Sequence, residues 1–506
     1  MFFVFYLLMR KTVKVTGYSH ILKYTGLFSG VQGLNILVGM IRNKFVAMIL
    51  GPEGMGLISL FNSTLKLVSD STNFGLSISA IRNISEAYEV GDEVKLRRAI
   101  VVLRTWTLFI ALFGSFLCLI LSSLLNDFTF TWGDHTLHFV LLSPIVGMMA
   151  ITASETAILK GTRNLRFLAQ LSIYNVFLSL LLSVPLFYFF GEAAIVPSLL
   201  IMALVQMLLT IGYSYRCYPL YISYRKENYR EGLSMIRLGI AYVLAGILGS
   251  GADFLIRTYL NIESSLDTVG LYNAGYMMTI TYASTVLTAM ETDYFPRLSA
   301  VIHQQFTMNQ TVNRQIEVSF LLLAPIFIFF VVSLPVLLPL LYSGKFLPVL
   351  EMMQVMVFAM YLRALRLPIE YLPLAKGHSR SYLFLEAVYD VFLVIFVIIG
   401  FQWKGLTGIG VAIFAVGVLD FILVLAYAHL KYAYRLSFAV CKCFLWQFPL
   451  CVMAYVLTFT TVCWIYWMGG FLLSIMSMLV SVNILRKKTH LWSTFFNKMK
   501  GKFYHE

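Results

Sequence analysis

The chain has 506 residues, of which 59% are hydrophobic and 12% charged, with 38 Lys and Arg against 24 Asp and Glu. Soluble domains carry about 25% charged residues, so this composition excludes a soluble fold and specifies an integral membrane protein. The net charge of +14 comes with no nucleic-acid signature and follows from basic loops gathered on one side of a bilayer.

Residues 1–20 read as a cytoplasmic leader. The apolar run Met1–Met9 precedes Arg10, Lys11 and Lys14, the reverse of the order in a secretory signal. A helix needs about 20 mainly apolar residues to cross the hydrocarbon core. The segment 21–218 offers six, near 24–50, 54–80, 99–125, 136–159, 167–190 and 193–215. A basic stretch, 219–235, joins this bundle to a second one on the cytoplasmic side. Six further spans fill 236–435, near 236–260, 268–295, 317–342, 350–374, 381–401 and 405–430. Residues 436–506 hold an extra helix pair, turning at Met468-Gly469-Gly470, and a basic cytoplasmic tail. The expected fold is an all-α polytopic membrane protein of about fourteen spans, with twelve as the alternative.

The two bundles are copies. Ile41-Arg42 matches Ile256-Arg257, Gly56-Leu57 matches Gly270-Leu271, and Arg82 matches Arg297. Lys160-Gly161 matches Lys376-Gly377, Tyr174-Asn-Val-Phe-Leu178 matches Tyr389-Asp-Val-Phe-Leu393, and Gly191 with Ile195 matches Gly405 with Ile409. Six matches at offsets of 214 to 216 residues exclude chance. Each copy holds an even number of spans, so both enter from the same side. They are parallel six-helix repeats about an axis along the membrane normal, an arrangement that places substrate between the halves.

With the N-terminus inside, the loop cations fall on the cytoplasmic side except Lys345 and Lys404, which puts both termini in the cytoplasm. No phosphate-binding loop, H-E-x-x-H or G-x-S-x-G motif is present, and no large extramembrane loop could house an enzyme site. A secondary transporter without an ATPase motif is expected, with no cofactor or metal. The six cysteines have no metal-ligand spacing.

Charges within spans are costly and mark functional candidates. Arg42 and its repeat mate Arg257 could converge on one cavity, and Arg363 with Arg366, one turn apart, present two cations to an anion. Arginine suits phosphate because its planar fork donates paired hydrogen bonds. Snorkelling to headgroups is the competing account of the first pair. Lys44, Lys66, Asp70 and Asn35 are further cavity candidates, with Lys66 and Asp70 at a spacing that allows mutual neutralisation. Asp390 and Asp420 stand where the first repeat has Asn175 and Gln206. With Asp253 they are the candidates for coupling to a proton or sodium gradient; interhelical hydrogen bonding is the alternative role.

Leu50-Gly-Pro-Glu-Gly-Met-Gly-Leu57, Asp293-Tyr-Phe-Pro-Arg-Leu-Ser299, Lys160-Gly161 and the duplicated six-span plan resemble Wzx-type O-antigen translocases, nearest the lipid III flippase type. These belong to the multidrug/oligosaccharidyl-lipid/polysaccharide exporter superfamily, whose fold is a V of two bundles. The resemblance covers most of residues 20–435 and implies a flippase in the bacterial inner membrane. Its substrate would be an undecaprenyl-diphosphate-linked oligosaccharide, an O-antigen or related lipopolysaccharide unit, bound among membrane lipid and passed to polysaccharide polymerase machinery. The resemblance further implies that Arg42 and Arg257 line a central cavity and hold the diphosphate. A multidrug or small-metabolite antiporter of the same fold is the alternative.

Overall fold

The computed structural model describes residues 17–130, 133–222 and 226–488; the leader up to residue 16 and the tail from 489 lie outside them. The first bundle contains α1 (Gly17–Thr72), α2 (Leu76–Val90), α3 (Glu93–Ile120), α4 (Ser122–Thr129), α5 (Thr136–Gly161), α6 (Leu165–Phe190) and α7 (Ile195–Cys217). The second contains α8 (Lys226–Glu263), α9 (Leu266–Tyr276), α10 (Tyr282–Val301), α11 (Gln305–Leu341), α12 (Leu350–Ala375) and α13 (Ser379–Tyr432). The appended pair is α14 (Phe438–Leu457) and α15 (Cys463–Lys488). An all-helical chain satisfies its backbone groups internally, as lipid requires.

Among the described residues, ten helical segments are long and apolar enough to cross a membrane. Three of them are helix pairs broken at Gly51, Gly191 and Lys404-Gly405. With the less apolar run through α9 and α10, these give the membrane-spanning rods of a polytopic protein. At Gly51 the backbone turns through φ 69° and ψ −169°, a conformation open only to glycine. Pro52 then starts the next helix, where its missing N–H costs nothing. The repeat is visible in torsion angles: Gly191 has φ 56°, ψ −136°, and Gly405 has φ 56°, ψ −137°.

Several local expectations differ. The second span stops at Thr72 and restarts at Leu76, because Phe74 and Gly75 take positive φ values of 49° and 66°. Helix α8 begins at Lys226, within the stretch expected to be linker. The final turn falls between Leu457 and Cys463 instead of at Met468-Gly469-Gly470. Those glycines serve packing. A Cβ on Gly470 would collide with the Val332 side chain of α11, and one on Gly469 would press on Leu457. Close helix approach through small residues is how membrane helices gain contact area. The Tyr466 hydroxyl donates to the Val332 carbonyl at 2.6 Å, fixing α15 to α11. Buried Gln447 of α14 donates to the Ser477 carbonyl at 3.1 Å and to Ser481 at 2.9 Å, which joins the two appended helices.

The bundles meet at the end poor in Lys and Arg. A Cβ on Gly56 would strike the Leu266 carbonyl, and one on Gly270 would strike the Pro52 carbonyl. These are repeat-equivalent glycines touching each other, so the pseudo-twofold axis passes between them. Asn261 of α8 donates to the Thr129 carbonyl of the first bundle at 2.8 Å, adding to the same contact. At the Lys/Arg-rich end, the first turns of α8 lie against α3. Trp106 donates to the Asn228 carbonyl at 3.3 Å, and Arg98 pairs with Glu231.

Candidate functional site

Two helices of the second bundle build a charged pocket. On α12 the spacing 363, 366, 367, 370 places Arg363, Arg366 and Glu370 on one face. On α13, Tyr382, Glu386 and Tyr389 recur at the same helical interval and face them. Together they line a cavity of ≈ 220 Å³. A narrower space beside it reaches Ile280 and Asp420. Ile280 lies in the π-helical turn 277–281 between α9 and α10, a backbone irregularity of the kind often found at working sites.

The two arginines differ. Arg366 is buried and pairs with Glu370 at 3.1 Å and with Asp420 of the second half of α13, with the Tyr389 ring 5.0 Å away. The expectation that Arg366 stands ready for an anion therefore meets a guanidinium already held by two carboxylates. Asp420, expected as a free coupling carboxylate, is its partner. Arg363 has no hydrogen bond or ion pair among the described residues, and its Nε is buried. It is the arginine of this pocket that stands outside any ion pair, with Glu370 and Glu386 in the same lining.

Arg257 sits where the bundles meet. It is buried, pairs with Asp253 one turn earlier at 3.0 Å, and donates to the Ser59 hydroxyl of α1 at 2.8 Å. Asn273 accepts from it at 3.4 Å. Arg42 points elsewhere, donating to Ser183 of α6 at 3.0 Å and approaching the Met202 sulfur at 3.7 Å. The two repeat mates share no partner among the described residues. Ser183 and Met202 draw Arg42 into its own bundle, whereas Asp253 and Ser59 fix Arg257 at the interface.

The remaining candidates separate in the same way. Lys44 donates to the Leu340 carbonyl at 2.5 Å and to Pro339 at 3.4 Å. It caps the C-terminal end of α11, where unpaired carbonyls attract a cation, and this accounts for its charge without a cavity role. Lys66 is exposed and Asp70 half-buried; no contact ion pair joins them among the described residues, although the Lys66 charge lies close enough to act on the Asp70 carboxyl. Asn35 buries an amide oxygen without a partner. Asp390 is 8% exposed, and an added Cβ on Gly249 would stand 3.7 Å from its Oδ2, which puts it against α8 with no ion-pair partner among the described residues.

One charged pair escaped the sequence reading. Arg104 of α3 and Glu155 of α5 are both 3% exposed and form two parallel bonds of 2.8 and 2.9 Å. Arg104 also donates to the Pro219 carbonyl at 2.8 Å, and Ser214 donates to Glu155 at 2.6 Å. An arginine within an apolar span demands a partner, and this was the available signal. Here it yields a staple of α3, α5 and α7, closed on itself and without spare capacity for a ligand.

A family model described as polysaccharide biosynthesis protein matches residues 12–351. Stage V sporulation protein B of Bacillus subtilis (strain 168) is 27% identical over 140 residues, which is 26% of either chain; the match thus spans about a quarter of that curated relative. Among solved structures, an inward-facing multidrug resistance MATE family transporter of the MOP superfamily aligns with a TM-score of 0.68 at 15% identity, over 81% of this chain and 96% of that one. The lipid II flippase MurJ, in an inward closed conformation, aligns with a TM-score of 0.68 at 14% identity, over 91% and 99%. At these identities the likeness is one of fold.

Proposed function

Because this chain belongs to the polysaccharide biosynthesis protein family, we propose that it is a flippase carrying a polyprenyl-diphosphate-linked oligosaccharide across the membrane by alternating access. The observation that carries the reading is Arg363. A cation outside any ion pair, its Nε buried in a pocket where Glu370 and Glu386 also face the cavity, retains donors for an arriving anion, and a charge held within a span marks a working site. A diphosphate fits, because the guanidinium fork donates paired bonds to its oxygens. Arg366, neutralised by Glu370 and Asp420, positions the α12 face and the Tyr389 ring. Exposed Lys66 is the second cation available to the headgroup. Arg257, tied to Asp253 and Ser59, holds the bundles in register.

The Lys/Arg-rich end is the cytoplasmic one by charge bias, which puts both termini in the cytoplasm and the Gly56–Gly270 contact on the outer side. The proposed membrane is the bacterial inner membrane, and the proposed cargo an O-antigen or related surface-polysaccharide unit on undecaprenyl diphosphate. Asp390, without an ion-pair partner among the described residues, is the proposed coupling group for a proton or sodium ion. Asp390 also gives the antiporter reading its one favourable observation, since a carboxylate outside any ion pair suits a cationic solute.

The test is a lipid extraction from cells lacking the protein, complemented with wild type or with Arg363→Ala. Undecaprenyl-diphosphate oligosaccharide should accumulate without the protein and clear with wild type. Loss of one charged hydrogen-bonding group is worth about 1.5–3 kcal/mol, so Arg363→Ala should slow clearance by roughly tenfold or more at equal protein level. Normal glycolipid together with altered sensitivity to cationic drugs would establish the antiporter instead.

A further inference from the structure

The first bundle contains a pocket whose chemistry differs from that of the charged one. Its volume is ≈ 420 Å³, and α2, α5 and α7 supply the walls. At the repeat offset of 214 to 216 residues, Gln206 stands here in place of Asp420, and no arginine stands in place of Arg363. The substitutions remove both signs of charge at once. Polar capacity remains in the Thr152 and Thr156 hydroxyls, the Gln206 amide and the Ser77 hydroxyl, while Met148 and Met149 contribute apolar surface. Lys160, exposed at the end of α5, is the one charged residue of the lining. Glu155 on the same helix is occupied by Arg104.

The hydrogen-bonding groups are open. Neither the Thr156 hydroxyl nor the Gln206 side-chain amide has a partner among the described residues. Thr152 spends its proton on the Met148 carbonyl at 2.8 Å, leaving its oxygen free to accept. The size falls within the range of about 300–1,000 Å³ typical of small-molecule sites, which join apolar walls to a few orienting polar groups. An acyl chain would leave amide and hydroxyls unused. A diphosphate would find a single lysine, against the arginine of the other bundle. A neutral polyol with alternating hydroxyl and C–H surface uses both kinds of wall.

We propose that this pocket is a glycan subsite: it binds a neutral sugar of the transported lipid while the second bundle holds the diphosphate. The inference rests on the flippase reading and deepens it by dividing the substrate between the repeats. Recognition of the sugar then belongs to Thr156 and Gln206, and recognition of the carrier to Arg363.

The experiment measures binding to the full chain in lipid nanodiscs with two probes. One is undecaprenyl diphosphate bearing no sugar; the other is the glycolipid pool extracted from cells lacking the protein. Wild type should bind the glycolipid about tenfold more tightly than the bare diphosphate, the effect of one or two hydrogen bonds. Thr156→Val with Gln206→Leu should abolish that preference and leave bare diphosphate binding unchanged, whereas Arg363→Ala should weaken both probes. Thermal midpoints and the conservative Thr156→Ser control for folding, and Thr156→Ser should retain the preference. A double variant that still prefers the glycolipid, or a wild type without preference, overturns the subsite while diphosphate binding upholds the flippase. Failure of wild type to bind either probe overturns both.

Discussion

Replacing Arg104 by Met tests how the first bundle holds its Lys/Arg-rich half together. The substitution removes the paired bonds of 2.8 and 2.9 Å to Glu155, the 2.8 Å bond to Pro219 and the Tyr215 ring contact at 4.6 Å. Glu155 is left 3% exposed in the intact packing, with Ser214 as its remaining donor. Breaking a buried ion pair from one side costs about 3–5 kcal/mol. For a bundle of this size each kcal/mol moves the midpoint by about 2–4 °C, so a fall of roughly 6–20 °C is expected. The assay is the midpoint for loss of the monodisperse peak after heating in detergent. Arg104→Met with Glu155→Leu removes both charges, and exchanging a buried pair for apolar residues is often neutral or stabilising. The double variant should therefore melt above the single one, short of wild type because Pro219 and Ser214 lose partners. A double variant that melts no higher than Arg104→Met refutes the argument, since the damage would then lie in packing alone.

Gly56→Ala and Gly270→Ala should each overpack the same backbone contact, at about 1–3 kcal/mol, and their effects should be non-additive because the contact is shared; sums within about 0.5 kcal/mol would place the two glycines apart. At the Lys/Arg-poor end, burial and then His138 hold the His135 imidazole below the usual histidine value, against the opposing pull of Asp134. The unfolded chain then binds the proton more readily than the folded one, so stability should fall as pH drops through about 6.5 and on toward the lowered value. His135→Gln should flatten that slope in a thermal series; an unchanged slope would assign it to another group.

Much of the fold was legible because duplication writes itself into sequence register. Gly191 and Gly405 could be paired from spacing alone, and their torsions agree to a degree. Glycine misled at Met468-Gly469-Gly470, since the same residue that permits a turn also permits close helix packing, and Val332 of α11 decides which. The charged site was legible in part. Arg363 and Arg366 announced themselves by standing in a span. Asp420 could not be assigned to Arg366, because the contact depends on how α13 folds back against α12. Likewise the parting of Arg42 from Arg257 depends on Ser183 and Ser59, hydroxyls that no charge pattern singles out.

The Gly56–Gly270 contact has a consequence for divergence. Elsewhere the repeats have drifted independently: Asp390 stands at the repeat position held by Asn175 in the other half, and Asp420 at the one held by Gln206. At the axis that freedom ends. Any side chain added to Gly56 meets the carbonyl of Leu266 and the backbone of Gly270, and any added to Gly270 meets Pro52 and the backbone of Gly56. Each copy is the other's steric boundary, so the halves can specialise in their pockets only while remaining alike where they touch.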